Sequence, residues 1–314
     1  MAAATALRVG QDNGSGATDA NFLEIYGGEV LTAFEENNVM SGRHMERTIT
    51  EGKSASFPAT WKLAASYHTV GAEITGQTSN ASERVILIDQ KLIAPVFIPD
   101  IDEAMNHFDY RQIYSVEAGR ALANTYDANI QIMVGKAARA SATVTGGNGG
   151  SAITAATSKT DSDVLIGAVY DAVQSMDEKD VPSQDRALLV LPAQYYLMAQ
   201  NTKVLTKDWN DGNGDYSKGA IHRVADCEII KTNNLPSTAL GTTPTGTAND
   251  YGGDFSTTSA LVFQKGAAGT LKLMDMKIGS DGFQERWQGS LIVAKYALGH
   301  GILRPECAVE IKTA

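Results

Sequence analysis

The chain has 314 residues and a mass of 33.3 kDa; with 43% hydrophobic residues it can bury one or two cores, which excludes a disordered tail. Its 26 basic side chains are scattered among 36 acidic ones, a net charge of -10, which disfavours a surface built to grip phosphates. Cys227 and Cys307 have no second Cys or His at ligand spacing, excluding a zinc ribbon and a disulfide framework.

The opening MAAATALRVGQDNGSGATDA lacks the basic-then-apolar pattern of a secretory leader, and no later apolar run approaches the ~18 residues that span a bilayer. A soluble protein made in the cytoplasm is the expectation. Residues 1–20 are small and polar and read as a flexible arm. NFLEIYGGEVLTAFEENN follows, with Phe22, Leu23, Tyr26, Val30, Leu31 and Phe34 on one helical face if Gly27 and Gly28 kink the helix instead of ending it.

From Arg47 to Pro99 the texture turns to strands: TITEGKSASFPATWKLAASYHTV, a polar Gly, Thr, Ser and Asn-rich tip through Asn80, then ERVILIDQKLIAPVFIP. Two β arms around a long tip make an extended ribbon. An isolated hairpin buries too little surface to hold itself, so the ribbon needs a neighbour to lie upon.

Asp100 to Ala140 is the longest helical signal, acidic at its start and basic at Lys136 and Arg139, the order that the helix dipole favours. Val116, Gly119, Ala123, Tyr126, Ile130, Met133 and Ala137 give it one apolar stripe. SATVTGGNGGSAITAATSK reads as a low-complexity link. Next, Val164, Leu165, Ala168, Val169, Ala172, Val173 and Met176 predict a helix over 163–176 behind an Asp161 or Ser162 cap.

RALLVLP reads as a buried strand, and Pro192 opens a short helix, AQYYLMAQN, so an α/β lobe is expected here. AIHRVADCEIIKTNNLP follows as a strand pair, and 237–259 as a surface excursion rich in Thr, Gly and Ser. The remainder is mostly alternating strands broken by Gly, expected to pair with earlier β material.

Signals for chemistry are weak. His44, His68, His107, His222 and His300 form no HExxH or HxH spacing, so surface or core roles are the default. Asp211, Asn213 and Asp215 copy the first three positions of a calcium loop, but Tyr216 and His222 stand where Gly and the bidentate Glu belong, and a polar turn is the better reading. GGNGG at 146–150 lacks the Lys and Ser/Thr of a phosphate loop, and no GxSxG elbow occurs. Acidic pairs such as Asp102-Glu103 and Asp177-Glu178 lie at helix ends, where complementing the dipole is their default role. No catalytic, cofactor or metal site is expected. Phe57, Trp61 and Tyr67 lack the interleaved Arg and Lys of a nucleic-acid stacking platform; packing against another subunit is the better use.

Several blocks together resemble the major capsid proteins of short-tailed, T7-like phages. They are YGGEVLTAF at 26–34, SGRHMERTITEGKSASFP at 41–58, DIDEAMNHFDYR at 100–111, SKGAIHRVADCEIIKTNNLP at 217–236, GTLKLMDMKI, and IVAKYALGHGILRPECA at 292–308. The stretch 141–216 departs most.

The resemblance implies an α+β, HK97-like capsid fold. Its parts would be an N-terminal arm (1–46), an extended β ribbon (47–99), a peripheral domain with the spine helix (100–145), an axial α/β domain (146–259) and a return through both (260–314). It implies self-assembly into hexamers and pentamers of an icosahedral shell around double-stranded DNA bound without sequence specificity, with scaffolding protein and portal as partners and no membrane. The runner-up is an encapsulin-like nanocompartment shell.

Candidate assembly contacts are Tyr26, Phe34, Arg43, His44, Arg47, Phe57, Trp61 and Tyr67. Gly27, Gly28, Gly42, Gly52, Gly71 and Gly76 are candidate hinges. Some shells of this fold are welded by Lys to Asn isopeptide bonds. Lys62 is a candidate donor, but no Asn follows Asn249 to serve the closing peripheral segment, so a non-covalent shell is expected.

Overall fold

The structure is a computed structural model that describes residues 29–34, 38–71, 73–74, 76, 79–99, 101, 110–201, 214–215, 220–221, 223–241, 244, 246–281 and 288–314. In chain order, β1 (Met45–Thr48), β2 (Ser54–Thr60), β3 (Ala81–Leu87) and β4 (Leu92–Pro99) precede the long helix α1 (Tyr110–Arg139). β5 (Ser151–Thr154), helix α2 (Ser162–Glu178), β6 (Arg186–Val190) and helix α3 (Pro192–Ala199) follow. Six short strands come next: β7 (Gly214–Asp215), β8 (Ala220–Ile221), β9 (Arg223–Val224), β10 (Cys227–Lys231), β11 (Ala239–Leu240) and β12 (Gly253–Asp254). β13 (Thr258–Gln264), the long pair β14 (Ala268–Asp281) and β15 (Gly289–Ile302), a tight turn at Pro305–Cys307 and β16 (Ala308–Lys312) close the chain.

Two sheets organise these elements. The six-stranded one runs β5-β16-β13-β6-β10-β9 and the four-stranded one β1-β14-β15-β4. All five residues of β6 are buried, as a central strand covered on both faces requires. α2 covers this sheet with Leu165, Ile166, Ala168, Val169, Ala172 and Met176, and Asp161 caps it by accepting from the Asp163 and Val164 amides. Pro192 opens α3, where a missing amide hydrogen costs nothing.

α1 packs against both sheets. Its first half buries one side, while Ile130 through Gly135 are buried all round, so the expected single stripe widens where the helix passes between layers. The described helix starts at Tyr110; most of the predicted start from Asp100 lies outside the described residues.

Three expectations change. β4 leaves the ribbon and pairs with β15 from Leu92↔Tyr296 to Pro99↔Gly289, so the ribbon itself is only β2 and β3. The 141–159 link is no spacer: β5 pairs in parallel with β16, and Gly150 presses so closely on the Ala137 and Ala138 carbonyls that a Cβ has no room. Nor is 237–259 a mere surface excursion. Tyr251 and Phe255 are fully buried, and Phe255 lies against Gly135 and Gly253, where absent side chains make its pocket.

Candidate assembly surfaces

β2 and β3 pair in antiparallel register from Ser54↔Leu87 to Thr60↔Ala81. Ala55, Phe57 and Ala59 face inward, while Ser54, Ser56, Pro58 and Thr60 face solvent, the alternation of a strand with one wet side. Beyond Thr60 the described residues up to Asn80 form no strand. There Leu63 is 68%, Tyr67 105%, Val70 97% and Ile74 81% exposed. Clustered apolar side chains left in water mark a surface that another molecule covers.

The root of the ribbon, by contrast, is fastened to its own subunit. Trp61 lies over Gly147, where a Cβ would come 3.4 Å from the indole. Asn80 Nδ2 donates to the Thr145 carbonyl at 2.9 Å, Arg84 Nε to the Thr143 hydroxyl at 3.1 Å, and Lys62 pairs with Asp180. Phe57, Trp61, Val144 and Leu303 line a 320 Å³ cleft beside this seat, with Arg84 and Arg304 also on its wall.

Asp89, just past β3, is the second fastening. Its carboxylate accepts from the Ala248 and Asn249 amides at 2.6 and 3.0 Å, from Asn249 Nδ2 at 3.1 Å and from the Tyr251 hydroxyl at 2.5 Å.

The arm is held along α1. Residues 29–34 are helical and cross it at Gly119, where a Cβ would meet the Val30 carbonyl at 2.6 Å. Phe34 meets Tyr126 and Tyr296 edge to face, with ring centroids 5.7 and 6.1 Å away. Asp127, fully buried, accepts from the Val39 and Met40 amides at 2.8 and 3.1 Å, and burial pushes its carboxyl up to about 6. β1 then joins β14 in parallel.

The candidate contacts therefore divide. Tyr67 stands free on the ribbon. Phe34 is packed in its own core, and His44, 2% exposed, is no surface residue at all. Arg43 bonds the Val39 carbonyl and pairs with Glu228 at 2.7 Å. Arg47 bonds the Ser56 carbonyl at 3.0 Å and covers the Phe57 ring. Phe57 and Trp61 line the cleft, half-buried.

Tyr26, Gly27, Gly28, Asp211, Asn213, His107 and His222 lie outside the described residues, whereas His68 is exposed and Asp215 lies in β7. Gly42, Gly52 and Gly71 have φ of 76°, 111° and 90°, a region that glycine alone enters freely, whereas Gly76 has no such constraint. Sequence reading missed Asp89, Asp127, Gly119 and Gly147 as anchors. Only the polarity of Asp127 within an apolar helix stretch offered a signal.

The comparisons with known proteins come down on one side. The family described as "Gp10A-like: Major capsid protein" matches residues 56–312. The major capsid protein of Escherichia phage T7 is 31% identical over 338 residues, covering 96% of this chain and 95% of the relative. The capsid structure of cyanophage P-SCSP1u is similar with a TM-score of 0.82 at 38% identity, covering 100% of this chain and 99% of that one. The mature capsid of bacteriophage PhiM1, at 18% identity, a TM-score of 0.73, and coverage of 88% and 87%, shows the shared fold alone.

Proposed function

Because the chain belongs to the Gp10A-like family of major capsid proteins, we propose that each copy completes itself by laying its ribbon across a neighbouring copy in the shell. It has the HK97-type capsid fold and is a structural component of a bacteriophage capsid, hence of the virion. The family match favours this over the nanocompartment reading.

The carrying observation is the exposed set Leu63, Tyr67, Val70 and Ile74. Such side chains anchor interfaces when a partner desolvates them, and many modest contacts become durable once a shell closes on itself. Hexamers and pentamers follow if one subunit bends to fit both rings. Gly42, Gly52 and Gly71 would supply that bend, with Gly27, Gly28 and Gly76 as further candidates.

Assembly in the host cytoplasm with a scaffolding protein and a portal is part of this reading. The net charge of -10 suits a wall that encloses DNA without binding its sequence. The pairing of Lys62 with Asp180 supports a shell without isopeptide welds, and boiled particles should run as single subunits on a denaturing gel.

The test replaces Leu63, Tyr67, Val70 and Ile74 together with Ser. Particle yield by electron microscopy should fall at least tenfold while the circular dichroism of the subunit stays unchanged. Particles at wild-type yield would refute the proposed contact.

A further inference from the structure

A hydrogen-bond chain crosses the interior where the arm, α1, the four-stranded sheet and the ribbon root meet. Glu46 Oε1 accepts from the Tyr126 hydroxyl at 3.1 Å, and Glu46 Oε2 pairs with Lys272 at 2.6 Å. His44 Nε2 lies 3.1 Å from the same Tyr126 hydroxyl and 2.8 Å from the Thr270 hydroxyl. Thr270 in turn lies 2.9 Å from His300 Nδ1. The His300 amide donates to the Tyr251 hydroxyl at 3.3 Å, and Tyr251 donates to Asp89. His44 and His300 are 2% and 1% exposed.

Counting protons shows what this chain tolerates. His44 Nδ1 donates to the Met40 carbonyl at 2.8 Å, so in the neutral ring Nε2 is an acceptor. Thr270 has one hydrogen to offer and two imidazole nitrogens beside it. If it serves His44, His300 Nδ1 donates back to the Thr270 oxygen. If it serves His300, Tyr126 serves either His44 or Glu46, having one hydrogen for the two. With both rings neutral the contact between Thr270 and His300 is made in either arrangement, while the single Nε2 lone pair of His44 takes only one of its two hydroxyl neighbours.

Protonation acts differently at the two rings. A proton on His44 makes Nε2 a donor to the Tyr126 or Thr270 oxygen, and those hydroxyls can still serve Glu46 and His300, so the contacts at this ring survive. Its only nearby counter-charge among the described residues, Glu46 at 3.4 Å, is already engaged by Lys272. A proton on His300 leaves a charged ring whose buried Nε2 has no partner among the described residues.

We propose that this chain is an acid-released latch, which at neutral pH fastens the arm and the ribbon root to the four-stranded sheet and lets both go when the His300 imidazole is protonated. The latch is built within one subunit and does not depend on how shells assemble.

The charged surroundings agree. Burial holds His44 below the ordinary imidazole value, and Lys272 and Lys265 act the same way, against the Met40 carbonyl and Glu46. His300 is held well below it by burial, His44 and Lys272. A folded value below the unfolded one means that the latch has full strength above about pH 6.5 and weakens as pH falls through that value. Asp127 on α1 opposes this trend. Its carboxyl stands at about 6, so the cost of its charge is present at neutral pH and is relieved in acid. Tyr126, Tyr251 and Tyr296 keep their protons throughout, since burial raises all three.

Hydrogen exchange of the full chain, read as protection factors at pH 7.5, 6.5 and 5.5, tests the latch. Residues 38–48, 86–91 and 246–251 should together lose about tenfold in protection between pH 7.5 and 5.5, while α2 keeps its own. His300→Asn, which retains a polar group at the Nδ1 position without titrating there, should lose about tenfold less, and Asp127→Asn should steepen the loss below pH 6. Constant protection across the range, or an even loss that includes α2, overturns the latch, as does a wild-type response in His300→Asn. Should that variant fail to fold, the regional pattern in the unmutated chain decides.

Discussion

The six-stranded lobe and the ribbon are made of similar apolar residues but settle them differently. In the lobe, β6, β13 and β16 bury nearly every side chain among themselves, α1 and α2, and the Arg139 to Glu310 pair closes one end with a bidentate contact at 2.6 and 2.5 Å. In the ribbon only the root is settled, through Trp61, Arg84 and Asp89, and the outer limb leaves its apolar groups in water. The difference separates what makes the subunit stable from what makes it join others.

Three substitutions sharpen this contrast within the subunit. Phe255→Ala should cost about 3–5 kcal/mol of unfolding free energy, because it empties a pocket shaped by Gly135 and Gly253. Urea denaturation of the subunit reads it, and a loss under about 1 kcal/mol would mean that the 246–258 segment is not part of the core. Arg139→Ala should cost about 3 kcal/mol, since Glu310, 0% exposed, then keeps only Thr258 as a partner among the described residues. Here too the denaturation midpoint is the readout.

The smallest effect is a gain. Ala225 and Asp226 have φ of 48° and 62° in the turn joining β9 to β10, a mirror-image turn that L residues enter at a cost. Ala225→Gly should stabilise by about 1 kcal/mol, raising the melting temperature while leaving particle yield alone.

How far these two regions were legible beforehand follows the range of the signals. α2, β6 and α3 could be read because a cap, a buried run and a Pro at a first turn are local features. The ribbon's existence was legible from its strand texture, but its width was not. Whether LIAPVFIP stays with β3 or crosses to β15 depends on a partner about 200 residues away.

His44 was misread as an interface residue because its surroundings are supplied by Thr270 and His300, far along the chain. Gly147 and Gly150 looked like linker glycines. Their role, letting Trp61 and the end of α1 come close, appears only once those partners are in place.

Oxidative footprinting of Leu63, Tyr67 and Val70, in free subunits and in closed shells, addresses the division most directly. Labelling of these three should drop at least tenfold on closure, while Phe255 and Leu189 stay unlabelled in both states. Equal labelling before and after closure would mean that the ribbon's apolar limb is not the surface that joins one copy to the next.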